Sequence, residues 1–533
     1  MSSQGTLRST RLPRCRGAAL LVLAWAQLGC ASPGVRAATA DGAASSARQR
    51  FLEMWARAYF PGRTGQLLIV PREGEFITRP DPNYTFMHGS PWPYDVAIPL
   101  LFVGPAVKSG VYPEAAAQQD VAPTLAAALG VSMPPTASGR VLPILRDPFA
   151  TPRAVMLLVL DGMRRDYFDR YAALMPTLSA LRRRGAWFSN AAVNILPSNT
   201  AVGHSTIATG ADPGVHGVTG VNVYDFRNGK RQDLFAGTAP QDLMALTLAD
   251  VWQLSTAGRA VILAQGSIDR AATPLAGHGA CLLNGAPVVL ASYDQEDGHW
   301  KANPKCFRLP DYLKDRDART LWAASPEWMG HRIDSPVTVR HSGLFPAFEV
   351  DAMAAMIGRE GVGKDSVPDL ILMNYKAADF VGHTYGPDSE ELRATLGEMD
   401  RQLARLLAAL EEQVGDDYLI AVTADHGMPS QPRSADGRNF APDVVDLLQQ
   451  RFDPQAKKLI TSYESENSQI FVDEARLAEL GLTLRDLAVY LESQPFIFAV
   501  FTNEDASRAR AADNAHKAAV SPPAAGRKTQ KAE

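Results

Sequence analysis

Three short apolar runs, residues 154–160, 370–373 and 418–422, each give way at or just beyond their C-terminal end to an acidic residue: Asp161, Asp379 and Asp425. Runs that are apolar at every position, not at alternate ones, read as strands buried on both faces, which suits a parallel sheet covered by helices. Between the second and third runs, Leu392, Leu396, Met399, Leu403, Leu406, Leu407 and Leu410 recur at helical spacing along residues 389–413, the stripe of an amphipathic helix. Strands alternating with helices place the chain in the α/β class, with a doubly wound, mainly parallel sheet sandwiched by helices. Ligands bind such a sheet at the C-terminal ends of its strands, so the three carboxylates are predicted to converge where the chemistry is.

A chain of 533 residues, 46% hydrophobic and 21% charged, has enough apolar surface for one large or two ordinary domains. Its formal charge of -4 gives no basic field for a polyanion, so no nucleic-acid-binding surface is expected; a small phosphorylated substrate remains open. Residues 1–37 have the layout of a secretory signal peptide: Arg8, Arg11, Arg14 and Arg16, then an apolar run from Ala18 to Trp25, then small residues. Export to the periplasm or the extracellular space is therefore expected, with no transmembrane span. Leu28-Gly29-Cys30 is similar to a lipoprotein cleavage box, although Gln27 departs from it, and Val35-Arg36-Ala37 offers ordinary cleavage. A lipid anchor at Cys30 stays open, and ordinary secretion is favoured. Residues 38–49 read as a flexible linker and 506–533 as a disordered tail. The mixed patterning of residues 223–345 reads as a cap inserted at the sheet edge, and Cys281 and Cys306 as either a disulfide or two buried thiols.

Asp379 and His383 are four residues apart, which puts both side chains on one face of a helical turn, a spacing that suits one cation. Asp425 and His426 are adjacent directly after a buried strand. A lone Asp at a strand end is most often a helix cap and a lone His a satisfied core residue. Several such donors at corresponding strand ends are a rarer combination, and carboxylate with imidazole suits Zn²⁺. Thr200, in Pro197-Ser-Asn-Thr200-Ala-Val-Gly-His204, is predicted at a helix N-terminus, where backbone N–H groups favour phosphate and an ionised hydroxyl. It could serve there as a nucleophile activated by a metal, or simply as the cap.

Taken in order, Leu158-Val-Leu-Asp161-Gly-Met163, Asn199-Thr200-Ala-Val-Gly-His204, Asp379-Phe-Val-Gly-His383-Thr-Tyr-Gly-Pro387 and Thr423-Ala-Asp425-His426-Gly427 resemble the alkaline phosphatase superfamily. The likeness is nearest to the phosphate-irrepressible alkaline phosphatases and the type I phosphodiesterase/nucleotide pyrophosphatases. The resemblance implies two Zn²⁺ ions. Asp161, Thr200, Asp425 and His426 would surround one, and Asp379 and His383 would hold the other. That second ion has a further His in the family, normally well after the Asp-His-Gly motif, where this chain has only His516. The segments at Arg63–Val70, His88–Phe102, Asp120–Gly130 and Ser138–Leu142 instead resemble the family's C-terminal region in its usual internal order. The resemblance therefore implies a circular permutant, with residues 50–146 equivalent to the family's C-terminal part, 154–505 the catalytic core, and His88 the remaining ligand.

The phosphate-holding side chains depart from the pattern. Where the irrepressible phosphatases have an Asn, position 221 is Val, with Asn222 beside it; their Lys-x-Arg pair reads Ile268-Asp269-Arg270. Arg270 and Asn222 are the candidate phosphoryl contacts. A phosphomonoester dianion gains most from such donors. The resemblance thus implies hydrolysis of phosphomonoesters through a phosphothreonine. A phosphodiesterase/nucleotide pyrophosphatase is the alternative, and a non-catalytic binder of phosphorylated ligands is disfavoured by the intact ligand set.

Overall fold

The computed structural model describes residues 33–225, 229–284, 288–430, 438–464 and 468–520. The sheets and the candidate site all lie in the unit Arg48–Glu533. In chain order the strands used below are β1 (Leu67–Pro71), β2 (Leu100–Val103), β3 (Gly110–Ala117), β4 (Ala154–Leu160), β5 (Ala186–Ala192) and β6 (Ile262–Gly266). They continue with β7 (Val288–Tyr293), β8 (Asp369–Tyr375), β9 (Tyr418–Thr423), β10 (Ile460–Glu464), β11 (Gln469–Val472) and β12 (Ile497–Thr502). The helices are α1 (Thr200–Thr209), α2 (Asp269–Ala276), α3 (Ala377–Tyr385) and α4 (Glu390–Val414).

The three apolar runs are adjacent central strands, with β4 between β8 and β9 in a ten-stranded sheet ordered β7-β6-β8-β4-β9-β2-β5-β3 plus two short edge strands. Every residue of β4, β8 and β9 is buried, as two-sided helical cover requires. From β7 to β9 all pairings are parallel, whereas β2 runs antiparallel to both β9 and β5. The leucine stripe is the inward face of α4, all of it buried. This helix begins at Ser389, whose Oγ accepts from the Leu392 N–H at 3.1 Å. The predicted α/β class and mainly parallel sheet are thus present.

A second, four-stranded sheet is ordered β10-β11-β1-β12. β1 lies antiparallel between β11 and β12, with Leu67 opposite both Ile470 and Thr502. A strand from the front of the chain is therefore an interior strand of a sheet otherwise built from residues 460–502.

Three sequence expectations need correction. Residues 223–345 are not wholly an inserted cap, because β6 and β7 within them are fully buried strands of the main sheet. Their runs are no shorter than that of β8, but the Gly- and Pro-containing connections around them dilute the pattern. Residues 38–49 are not a linker: they belong to the helix Pro33–Ala58, consistent with alanine having the highest helix propensity. Residues 503–520 form a helix, entered by a reciprocal cap between Thr502 and Asp505 and tied down by Arg510 Nη2 donating to the Gly214 carbonyl at 2.9 Å. Residues 1–32, with Cys30, and 521–533 lie outside the described residues. Among the described residues no helix is long and apolar enough to cross a membrane, and Cys281 and Cys306 form a disulfide.

Candidate metal centre

Asp161 directly follows β4, Asp425 and His426 follow β9, and Asp379 and His383 sit one turn apart on α3, all at one edge of the main sheet. The turn after β4 needs Gly162: its φ is +68°, and a Cβ there would lie 3.0 Å from the Asp379 Cα. Thr200 is the first residue of α1, and the cap is Asn199, whose side chain accepts from the Val202 N–H at 3.2 Å. The Thr200 hydroxyl is thus not spent on capping. Gly203, on the same turn, lets α1 approach closely, since a Cβ there would stand 2.8 Å from the Asp425 Cβ and carbonyl oxygen.

His88 comes to this edge from nearly 300 residues before Asp379 in the chain. Its ring stacks on His426 with centroids 3.5 Å apart, and the His383 ring is 5.0 Å away. His88 Nε2 lies 3.6 Å, and His383 Nε2 3.4 Å, from Asp379 Oδ1. His426 Nε2 lies 3.2 Å from Asp425 Oδ2 and 3.5 Å from Asp161 Oδ1. Two donor groups result, His88–Asp379–His426 and Asp161–Asp425–His426, each within 4.8 Å.

The hydrogen bonds sort the donor atoms. The Nδ1–H of His88 donates to the Ser198 carbonyl at 3.1 Å, that of His383 to Phe86 at 2.5 Å, and that of His426 to Gly427 at 2.8 Å. These carbonyls select the tautomer that leaves a lone pair on each Nε2, the outer-shell arrangement of metal-binding histidines. Each carboxylate is likewise half occupied. Asp161 Oδ2 accepts from Asn374 and Lys376, Asp379 Oδ2 from Lys376, and Asp425 Oδ1 from the His426 N–H, all at 2.8–3.0 Å. The other oxygens, Asp161 Oδ1, Asp379 Oδ1 and Asp425 Oδ2, are buried without a hydrogen-bond partner. They are the same oxygens that face the imidazole nitrogens. Orphaned buried oxygens are costly, and six O and N donors of this kind fit divalent cations such as Zn²⁺.

Crowded acid groups raise the demand for positive charge. Burial, and then the neighbouring Asp425, push the Asp161 carboxyl up to about 6. Burial also works to raise Asp425 and Asp379, but nearby imidazoles, and Lys376 for Asp379, hold both below the usual carboxylate range. His88 is held well below the usual imidazole value by burial and then by His426.

Lys376 was not singled out in the sequence. It is 1% exposed and its Nζ donates to Asp161 Oδ2 and Asp379 Oδ2, both at 2.8 Å, and to Thr200 Oγ1 at 3.2 Å. All three ammonium hydrogens are used. The signal was a Lys immediately after a fully buried strand, three residues before Asp379. His204 was also passed over as a site residue: its Nδ1–H donates to the Thr200 carbonyl and its Nε2 accepts from Asn374, bracing the start of α1. Thr200 Oγ1 is 3.4 Å from His426 Nε2. Arg270 lines the cleft with Thr200 and also an adjoining cavity of about 360 Å³. Asn222 lines only that adjoining cavity.

The family model for type I phosphodiesterase / nucleotide pyrophosphatase matches residues 155–443. The chain belongs to this family. Relatives named alkaline phosphatase and phosphodiesterase are phosphoric-ester hydrolases, and this chain is one. It is 25% identical to alkaline phosphatase PafA of Elizabethkingia meningoseptica over 418 residues, 66% of this chain and 76% of the relative. It is 26% identical to alkaline phosphatase PhoV of Synechococcus elongatus, across 53% of this chain and 60% of that one. Venom phosphodiesterase CdcPDE of Crotalus durissus collilineatus is also 26% identical, over 51% of this chain but 26% of its own length. The solved structure of wild-type alkaline phosphatase PafA superposes with a TM-score of 0.52 at 22% identity, covering 65% of this chain and 78% of that one, a likeness of fold.

Proposed function

We propose that this phosphoric-ester hydrolase is a two-zinc phosphomonoesterase that works through a phosphothreonine at Thr200. The observation that carries the reading is the convergence of the Thr200 hydroxyl with three orphaned carboxylate oxygens and three Nε2 lone pairs. Asp161, Thr200, Asp425 and His426 would hold one cation, and Asp379, His383 and His88 the other. When bound, the cations supply Lewis-acid charge to the attacking and leaving oxygens. Thr200 Oγ1 forms the new bond to phosphorus as the P–O bond to the alcohol breaks, and the departing oxygen takes up a proton. Water then cleaves the Thr200–phosphoryl bond and releases phosphate. Lys376, donating to Thr200 Oγ1, favours the ionised nucleophile, and Arg270 is placed to hold the phosphoryl oxygens.

The phosphodiesterase alternative has its own supporting observation, the Val at 221 and Ile at 268, which remove donors that a dianion needs. Comparing kcat/KM for an aryl phosphate monoester and the matching diester, before and after chelation, decides between them. We expect a modest monoester preference, and loss of both activities on chelation with recovery on adding Zn²⁺. A diester preference transfers the assignment to the alternative, and chelator-resistant turnover removes the metal reading.

We also infer that the chain is a circular permutant. In support, β1 fills the interior of a sheet made by residues 460–502, and His88 joins the Asp379–His383 pair. The signal-like leader supports export, with a lipid anchor at Cys30 as the variant form.

A further inference from the structure

Arg340 ends the short helix Pro336–Arg340 and is 3% exposed. Its Nη2–H donates to Tyr84 Oη at 3.1 Å, and its guanidinium lies 4.4 Å from the Phe380 ring centroid. Its Nε and Nη1 are buried without a hydrogen-bond partner, and it makes no ion pair among the described residues. Burying an unneutralised guanidinium is costly, and burial together with the nearby Arg270 depresses its pKa.

Arg340 lines the cavity of about 360 Å³ that adjoins the reaction cleft, with the cations Arg270, Arg231 and Lys301 and the carboxylates Asp233, Asp269 and Glu296. The other cations there have partners. Lys301 sits 3.1 Å from Asp294 and 3.4 Å from Asp269, and Arg231 sits 3.1 Å from Glu464. Arg270 lines both compartments, whereas Arg340 does not line the Thr200 cleft. The adjoining cavity thus offers Arg340 an oxyanion other than the phosphoryl at Thr200.

We infer that the Arg340 side of this cavity is a subsite for a second oxyanion carried on the leaving group, so that the preferred substrates are phosphate esters bearing another phosphoryl or carboxylate group. The inference rests on the proposed reading in placing the scissile phosphoryl between Thr200 and Arg270. The site chemistry is that of a guanidinium whose spare N–H groups match a planar or tetrahedral oxyanion.

The test uses the zinc-loaded full chain and three matched compounds: 3-hydroxypropyl phosphate, propane-1,3-diyl bisphosphate and 3-phosphooxypropanoate. Wild type is expected to favour the two compounds that carry a second anionic group in kcat/KM by about tenfold or more, the range of a charge-assisted hydrogen bond, chiefly through KM. Arg340→Gln is expected to bring that ratio close to one. The larger gain between bisphosphate and phosphooxypropanoate identifies phosphoryl or carboxylate as the favoured group. A wild type without the preference, or an Arg340→Gln variant that keeps it, overturns the inference. Should Arg340→Gln fail to fold, Tyr84→Phe, which removes the hydroxyl holding Arg340, is expected to narrow the ratio, and an unchanged ratio overturns it. Should monoester turnover be absent, the proposed function has failed separately, and the same three compounds are titrated as inhibitors of diester hydrolysis, where the same ratio decides.

Discussion

At the residue scale, each acidic side chain of the centre divides its work between two oxygens. Asp161 and Asp379 each give one oxygen to Lys376 and leave the other bare beside an imidazole, so Lys376 holds both carboxylates in register with Thr200. Replacing the proposed nucleophile and replacing this lysine should therefore fail differently. Thr200→Ala is expected to lose nearly all turnover while zinc content stays largely intact, because the other ligands carry most of the binding; turnover near wild type, measured beside metal analysis, removes Thr200 as nucleophile. Lys376→Met removes one charge-assisted donor to Thr200, worth about 1.5–3 kcal/mol, and should lower kcat roughly tenfold to hundredfold. Its metal stoichiometry should not fall, since the variant leaves the cluster more negative. A drop in bound zinc with kcat per zinc unchanged would mean that Lys376 only supports the ligands.

At the element scale, the order of strands in space departs from their order in the chain. β2, from the front, pairs with β9 at the back, and β1 is flanked by β11 and β12. Such swaps of order are tolerated when the joined ends lie at exposed connections. A chain re-opened between residues 146 and 154, with residue 505 relinked to residue 50, is therefore expected to fold to the same metal-loaded state and to keep activity within about tenfold. A relinked protein that stays unfolded by circular dichroism and heat-capacity scanning counts against the permutation. The runs of β6 and β7 show the limit of reading at this scale: they are as short as that of β8, and a short apolar run does not by itself say which sheet its strand joins.

For the whole molecule, pH couples to stability through a carboxyl that the main sheet and its helices bury. Glu349 is fully buried, accepts at Oε1 from Ser267 Oγ at 2.6 Å and from the Lys376 N–H at 3.0 Å, and leaves Oε2 without a partner. Burial pushes it up to about 8 from an ordinary 4.5. The folded state then holds a proton that the unfolded chain has lost, so stability declines as pH rises from about 4.5 to about 8 and is level beyond. Glu349→Gln removes this contribution, so the variant's Tm relative to wild type should climb steadily across that window. A constant difference in Tm would show that Glu349 does not titrate there.

The class and most of the site were legible from residues alone because they rest on local chemistry. Two-sided burial writes β4, β8 and β9 as continuous apolar runs, α4 as a 3.6-residue stripe, and Asp379 with His383 as a one-turn pair. The acids that end those strands share an edge because parallel strands point the same way. Folding in three dimensions settled what distance along the chain hides. It stacked His88 on His426, turned Asn199 into the cap so that the Thr200 hydroxyl faces the centre, and drew Lys376 across both carboxylates. It also left Arg340 buried without an anion among the described residues. A lysine and an arginine are ordinary surface residues in a sequence, and only the packing around them shows which charges the protein has enclosed and what those charges are there to meet.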